Sequence, residues 1–541
     1  MNPVISATLV LHNGKIFTVD QENSVHQAVV VHEDKIVYVG TDTEAQKYIG
    51  PETETIDLEG RLVLPGFIDG HVHLMGAGRL AVKAEKEADI KYCNSVAEVL
   101  DKIKAKARET TPGEWVIGWG YMWTRFKEKR VPTAKELDKV APDNPVLLRF
   151  SAMGVANTLA MKKTGVTKDS KPDYGYIELD ENGEPNGVLQ GGAAVRLVSD
   201  HIPPWEIEPL EIAKKAIDQW IRWGITCGHQ AGSLKEDTEA LQVLRDKGEL
   251  PMRWRLYVHN MTNNLDYMDH LIALGIKTGL GDDFIRISGV KLALDSMGSM
   301  GNAATYEPST GNPDSLGILL VTPEKLKELI VRAHKAGLQT ATHSIGDRAV
   351  DINLDAIEAA QKALPGKDHR HRIEHCTHCE PHQLERIRKL GAHPGESNYI
   401  WNFGDAYKYQ FGEKRSHWLY PYKSLQEYGI IASANSDYGG GPWHGNPIRG
   451  IYAMVTRKTE GGDTVGENQS VSVIDAIRCY TYNGAYASFD EQKLGSIEKG
   501  KLADMIVLSK DILEIPVEEI PQADVLCTIV NGKIVYEKSR N

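Results

Sequence analysis

The apolar positions of this chain fall into two patterns. At both ends they gather in short β-rich runs separated by turn residues. Runs at 8–11, 15–19, 28–31 and 35–39 open the chain, and runs at 526–530 and 533–536 close it. Asn13-Gly14 stands between the first two runs and Asn531-Gly532 between the last two. Asn-Gly between β-rich runs predicts a two-residue hairpin, because both turn positions favour φ > 0. Glu33-Asp34 marks a third turn of this kind. Short hairpins are marginal alone, so the two ends are expected to assemble one small β domain.

Between about 205 and 437 a different unit repeats: amphipathic helix, glycine, short apolar strand. Predicted helices run over 211–223 before Gly224, from Thr322-Pro323 to Ala336-Gly337, over 381–390 before Gly391, and over 424–428 before Gly429. A glycine just past a helix end takes the left-handed cap conformation cheaply. Strand–helix alternation means a parallel sheet. Eight candidate strands, at 62–73, 225–230, 254–259, 285–294, 338–343, 372–375, 392–394 and 430–437, predict a (β/α)8 TIM barrel of the α/β class. The interval from about 80 to 205 breaks the repeat. It carries a helix from Ser95 to about Arg108, opened by the capping box Ser95-x-x-Glu98, and reads as an insertion after the first barrel strand, near the active-site mouth. The expected organisation is a composite β-sandwich of 1–61 and 486–541, a barrel of 62–79 and 206–485, and an insertion of 80–205.

Composition narrows the setting. The chain has 541 residues, 41% hydrophobic and 25% charged, an ordinary globular mixture. Its formal charge of -12 and lack of a basic stripe argue against nucleic acid. Residues 1–15 lack the basic start and long apolar run of a signal peptide, and no run approaches a membrane span. Six scattered cysteines suit a reducing compartment better than a disulfide framework. A soluble cytoplasmic protein acting on a small molecule, with neither nucleic acid nor membrane as partner, is expected. The oligomeric state stays open, a homodimer included.

The chemistry concentrates where such a barrel keeps it, at the carboxyl ends of the strands. The stretch Pro65-Gly-Phe-Ile-Asp-Gly-His-Val-His73 is an apolar strand ending in His-x-His. Side chains at i and i+2 of a strand share a face, so His71 and His73 aim two imidazoles at one point, with Asp69 on the same side. The fourth candidate strand carries Lys291, the fifth ends in His343, the sixth in His375 and the eighth in Asp437. Each has an ordinary explanation taken singly. Four histidines, a carboxylate and an apolar-flanked lysine converging on one rim would be a poor way to build stability and point to metal binding.

The motifs Pro65–His73, Gly289-Val-Lys-Leu-Ala-Leu-Asp295, Thr342-His-Ser-Ile-Gly-Asp-Arg-Ala349, Arg372-Ile-Glu-His375, Ser436-Asp437 and Leu494-Gly-Ser-Ile-Glu-Lys-Gly-Lys-Leu-Ala-Asp504 together resemble the amidohydrolase superfamily, nearly end to end. Within it the chain is similar to the amidohydrolase-3 branch, which includes N-substituted formamide deformylase. The resemblance implies two divalent ions, one held by His71, His73 and Asp437 and the other by His343 and His375, with carboxylated Lys291 bridging them. Zinc is the preferred metal, with manganese, iron and cobalt also compatible with imidazole and oxygen ligands. The chemistry it implies is hydrolysis of a C–N, amide-type bond by a metal-bridging hydroxide, with Asp437 as the catalytic proton carrier. The same metal site would also suit a carbamate or ester hydrolase, a deaminase or a decarboxylase. A reading of another class is a non-catalytic barrel scaffold, although scaffolds usually lose the ligand set and here every position is filled.

Substrate contacts are expected from His229 at the end of the second strand, from Asp295, from Trp119, Tyr121 and Trp123 in the aromatic stretch 115–123, and from Trp401 and Trp443 on rim loops. Aromatic-lined clefts suit apolar or aromatic ligands. Asp347, Glu374 and Asp295 are candidates for orienting the ligands. In His375-Cys-Thr-His-Cys379 only His375 reads as a ligand, since no partner cysteine pair occurs elsewhere.

Overall fold

The β-rich runs of both chain ends build two sheets around one core. The computed structural model describes residues 6–90, 93–120, 126–150, 153–260, 267–310, 313–366, 368–397, 399–441 and 444–539. One sheet has the order Lys35–Gly40, Ala28–His32, Leu9–His12, Glu54–Asp57. The other has the order Lys533–Glu537, Val525–Val530, Met505–Leu508, Leu62–Pro65, Lys15–Phe17, Val25–His26. Leu9, Leu11, Val29 and Val31 of the first meet Ile16, Val63, Met505, Val507 and Ile529 of the second in one buried cluster.

Two of the three predicted turns close hairpins. Ala28–His32 pairs antiparallel with Lys35–Gly40, and Val525–Val530 with Lys533–Glu537. Asn531 (φ 55°) and Gly532 (φ 74°) are both left-handed, as this hairpin turn requires. Asn13-Gly14 does not make a hairpin. Asn13 alone is left-handed (φ 54°), and the runs on its two sides enter different sheets. Leu9–His12 pairs instead with Ala28–His32 and Glu54–Asp57, and Lys15–Phe17 with Val25–His26 and Leu62–Pro65.

The predicted strand 62–73 is likewise two strands. Leu62–Pro65 belongs to the terminal sheet and Phe67–Val72 starts the barrel. The chain changes sheets at Gly66, where a Cβ would lie 2.3 Å from the Thr226 side chain.

The barrel consists of eight parallel strands, β1 (Phe67–Val72), β2 (Ile225–Ser233), β3 (Arg253–His259), β4 (Ile285–Ala293), β5 (Gln339–Ser344), β6 (Arg372–His375), β7 (His393–Ser397) and β8 (Ser433–Asn435), each beside the next. The seam between β8 and β1 is closed by a parallel bridge from Val72 to Tyr438 and by two backbone hydrogen bonds, Asp437 N to His71 O and His73 N to Tyr438 O, both 2.9 Å. The helices outside follow their sequence signals. Thr322 caps Pro323–Ala336, which ends at Gly337 (φ 80°), and Pro381–Leu390 ends at Gly391 (φ 60°). Leu292, Leu326, Ile330, Leu354 and Ile357 are among the residues of the layer between strands and helices.

Two buried ion pairs tie the barrel to the returning tail. Arg253 forms a bidentate pair with Asp504 at 2.8 and 2.9 Å, and Arg255 reaches Asp490 at 2.5 Å.

Residues Arg79–Glu208 form a second compact unit. Its mixed sheet has the order Tyr176–Leu179, Pro185–Gln190, Met153–Ala156, Val146–Arg149, Val116–Trp119, Ala88–Asp89. Val96–Glu109, the helix capped by Ser95, packs its Val96, Val99 and Ile103 into one of the unit's two apolar clusters. Among the described residues no helix is long and apolar enough to cross a membrane. All six cysteines are buried and free.

Candidate metal centre

β1 delivers His71 and the residue just beyond it, His73, to the carboxyl end of the barrel, and the chain leaving β8 delivers Asp437. Ligand atoms of these three lie within 4.8 Å of one another. Asp437 Oδ1 is 2.9 Å from His73 Nε2. The two loops are pressed together at Gly439 (φ 94°), where a Cβ would meet the His73 carbonyl at 2.2 Å. Only glycine fits that approach. β5 and β6 bring in His343 and His375, whose rings lie 4.3 Å apart between centroids, and His375 lies 4.9 Å from His71. β4 brings in Lys291, with Nζ 3.0 Å from His71 Nε2. The six residues predicted from strand ends therefore meet in one place.

Hydrogen bonds fix which ring nitrogens face this centre. Glu374 accepts from His71 Nδ1. Arg372 grips the same carboxylate through Nε at 2.6 Å and Nη2 at 3.1 Å, so Glu374 is ionised and Nδ1 of His71 carries the proton. The His71 lone pair is thus on Nε2. Ser397 Oγ donates to Asn435 Oδ1 at 2.8 Å and accepts from His375 Nδ1 at 2.6 Å, which leaves the His375 lone pair on Nε2 as well. His343 Nε2 is buried with no hydrogen-bond partner. An orphaned buried imidazole nitrogen beside two oriented ones, a carboxylate and an amine fits a metal, and the partners on the far nitrogens are those that commonly orient metal-bound histidines.

Electrostatics agree with the geometry. Burial, then Lys291, lowers His71 to about 4, and burial, then Lys291, lowers His343 to about 3. These are neutral imidazoles, the form that binds metals. Burial also lowers Lys291 to about 8, against the pull of Glu374 and Asp437, which leaves an appreciable neutral fraction of the amine near neutral pH. Burial opposes ionisation of Glu374, but Arg372 and then His71 hold its carboxyl far below the usual range. Asp437 is held low in the same way, against burial, chiefly by His73 and His71. Backbone strain collects here too: His375 (φ 72°), Cys376 (φ 40°) and Asp437 (φ 50°) are left-handed without being glycine, a cost that folds retain mainly at functional sites.

Several expected substrate contacts are corrected. His229 is fully buried and accepts from Arg372 Nη1 at 2.9 Å through Nδ1, below the ligand layer rather than on the rim. Asp295 accepts three backbone N–H groups, from Ala304, Ile345 and Gly346, each at 3.0 Å. It organises the loops after β4 and β5 and is closed to substrate. Trp119 is buried within the insertion unit under the Lys83 ammonium, 4.3 Å from its ring. Trp401 packs on Tyr452 at 5.8 Å and, half-buried, lines a small cavity with Asn402, Ser436 and His444. Tyr121, Trp123 and Trp443 lie outside the described residues. Of the candidates for orienting ligands, Glu374 takes that role directly. Asp347 instead accepts from Tyr306 N and Arg348 N.

The strand-end rule missed residues that the fold places here. Tyr399 donates to Asp437 Oδ2 and stacks on His375 with 5.6 Å between centroids. It follows β7, whose predicted end at 394 fell short of Ser397. Arg372, two residues before Glu374, shares its face and could have been read from that spacing. His259 ends β3, and the strand predicted over 254–259 already pointed to it.

Buried histidines give the protein a testable acid response. Burial lowers His378 and His393 to about 3, and lowers His229 and His371 well below the ordinary value. Unfolding restores a pKa near 6.5. Between the two values the unfolded chain binds more protons, so stability falls as pH drops below about 6.5. The slope is about 1.4 kcal/mol per pH unit for each such group. Urea midpoints at about pH 7.5 and 5.5 should differ accordingly, and equal midpoints would contradict the buried neutral assignment.

Histidines and an aspartate converging at the strand ends of an eight-stranded α/β barrel define a metal-dependent hydrolase. The chain belongs to the amidohydrolase family, whose family model matches residues 54–536. It is 30% identical to the N-substituted formamide deformylase of Arthrobacter pascens over 554 residues, covering 98% of each chain. It is also 30% identical to the putative amidohydrolase YtcJ of Bacillus subtilis (strain 168) over 549 residues, covering 98% of this chain and 99% of that one. A solved structure of an uncharacterized metal-dependent hydrolase from Pyrococcus furiosus is similar with a TM-score of 0.69 and 26% identity, over 94% of this chain and 100% of that one.

Proposed function

We propose that this protein hydrolyses a C–N, amide-type bond other than a peptide bond in a small molecule carrying an apolar group. The observation that carries the reading is the oriented ligand set: His71 and His375 present Nε2 inward because Glu374 and Ser397 hold their other nitrogens. His71, His73 and Asp437 would hold one divalent ion, His343 and His375 a second, and carboxylated Lys291 would bridge them, with zinc preferred. Such ions lower the pKa of water toward neutrality and polarise a carbonyl. The lowered Lys291 amine supports the carboxylation, in which the neutral nitrogen adds to carbon dioxide and releases a proton. Asp437 takes the proton from the attacking water and returns it to the departing amine. Tyr399 holds its Oδ2 while Oδ1 faces the reaction side, beside His73. The similarity to an N-substituted formamide deformylase over nearly both whole chains supports an amide-type substrate with a substituent on nitrogen.

Metal content per chain, measured by elemental analysis on wild type and Lys291→Ala, tests the site. About two equivalents, falling in the variant, is the expected result. About one equivalent, unchanged in the variant, would remove Lys291 from the site and favour a mononuclear, deaminase-like centre. No metal even after reconstitution would favour a scaffold. Product analysis on a panel of N-substituted formamides, other amides, carbamates and esters then tests the bond.

A further inference from the structure

β3 ends on His259, whose position is in register with Lys291 on β4. Two residues earlier, Tyr257 points into the barrel, where its hydroxyl donates to Gln339 Oε1 at 2.8 Å and accepts from Arg372 Nη1 at 3.1 Å. Side chains at i and i+2 of a strand share a face. His259 therefore also points inward, one layer closer to the carboxyl end, level with Lys291. Unlike Tyr257 it is only half-buried, and its ring makes no hydrogen bond among the described residues.

Several donors of this layer are already engaged. The His71 Nδ1–H goes to Glu374, the His375 Nδ1–H to Ser397, the Tyr399 hydroxyl to Asp437, and Lys291 Nζ to His71. His259, by contrast, makes no hydrogen bond among the described residues and is not one of the candidate ligands, so its N–H is open to a substrate. Burial, with His73 and Lys291 within electrostatic range, lowers its pKa from the ordinary value, so the ring is neutral at pH 7 and offers one donor without adding a charge. Counted round the closed barrel, β3 stands three strands from β8, so His259 and Asp437 flank the centre from different sides. A substrate held between them would have its leaving nitrogen near Asp437 and its acyl oxygen toward His259.

We infer that His259 contacts the substrate directly, donating a hydrogen bond to the acyl oxygen on which negative charge develops during attack. This rests on the hydrolase reading above and adds to it the residue that meets the oxygen. No atom of His259 is needed to hold a metal, which separates its role from that of the six strand-end residues.

The test compares metal-loaded wild type with His259→Phe and His259→Asn. The Asn variant keeps an N–H donor and serves if Phe disturbs the fold. Three readouts are taken: metal content, binding of methylphosphonate (a tetrahedral oxyanion) by calorimetry, and steady-state kinetics on the best substrate of the amide panel. The expected result is unchanged metal content, methylphosphonate binding about tenfold or more weaker in His259→Phe, partial recovery in His259→Asn, and kcat reduced by about 10²–10³-fold, the usual cost of losing one such donor, with little change in KM. Equal methylphosphonate affinity in wild type and His259→Phe, or no binding to either, overturns the inference. Loss of metal in the variants overturns it as well, by making His259 a ligand. If wild type cleaves no amide but methylphosphonate binding still depends on His259, the amide reading fails and the oxyanion contact stands.

Discussion

Asp437→Asn is expected to lower turnover by about 10²–10⁴-fold, the usual worth of a positioned acid–base group, while the protein still folds. The backbone gives the reason for trusting this substitution. Asp437 sits at φ 50°, a left-handed conformation that Asn and Asp tolerate better than other side chains with a Cβ. Its backbone N–H bond to His71 O, part of the barrel seam, does not involve the side chain. Asparagine is nearly isosteric and can still accept from Tyr399. On the proposed reading it loses both an anionic ligand to the ion and the ability to carry a proton between water and the leaving nitrogen. Thermal unfolding followed by circular dichroism should stay close to wild type while kcat collapses. Normal turnover in this variant would sink the assignment of Asp437 as proton carrier.

The largest effect on stability is expected from Arg372→Met, about 3–5 kcal/mol, the cost of breaking a buried ion pair from one side. Arg372 is fully buried and makes five close contacts: two to Glu374, one each to Gly70 O, His229 Nδ1 and the Tyr257 hydroxyl. Methionine matches its length but leaves the Glu374 carboxylate charged, buried and held only by His71. The double variant Arg372→Met, Glu374→Gln should recover part of the loss, because the uncompensated charge is gone. It should not recover metal binding, since a neutral amide is a weaker acceptor for His71 Nδ1–H and orients the ring less firmly. Urea denaturation measures both variants. A single-variant loss below about 1 kcal/mol would show that Glu374 finds another partner or takes up a proton.

Arg372 also shows where sequence reading stops. It stood two residues before Glu374 in a predicted strand, so its facing direction was legible. That it lies under the candidate ligands, and gathers β1, β2 and β3 around one guanidinium, depends on strands up to about 300 residues apart in sequence. The Asn13-Gly14 turn failed for a related reason. Its composition matched a hairpin, but the partners of the two flanking strands are supplied by segments at 25–32 and 54–65, and local composition does not encode which partner wins. The substrate residues chosen by type fared worst: His229 and Asp295 are polar residues near strand ends, yet the barrel turns one beneath the ligand layer and closes the other into backbone hydrogen bonds. Residue type alone does not separate a side chain that faces substrate from one that holds up a loop.

The sequence by itself determined the eight strands of the barrel to within a few residues at most ends, the helix caps, and the six strand-end residues that meet at the candidate metal centre. It could do so because parallel strands of a barrel all deliver their last inward residues to one rim, so a one-dimensional list of strand ends is already a three-dimensional cluster. Tertiary structure alone decided which nitrogens of His71 and His375 face that cluster and which groups are spent on one another. Those are set by hydrogen bonds between side chains brought together only when β8 closes against β1, and no spacing along the chain records them.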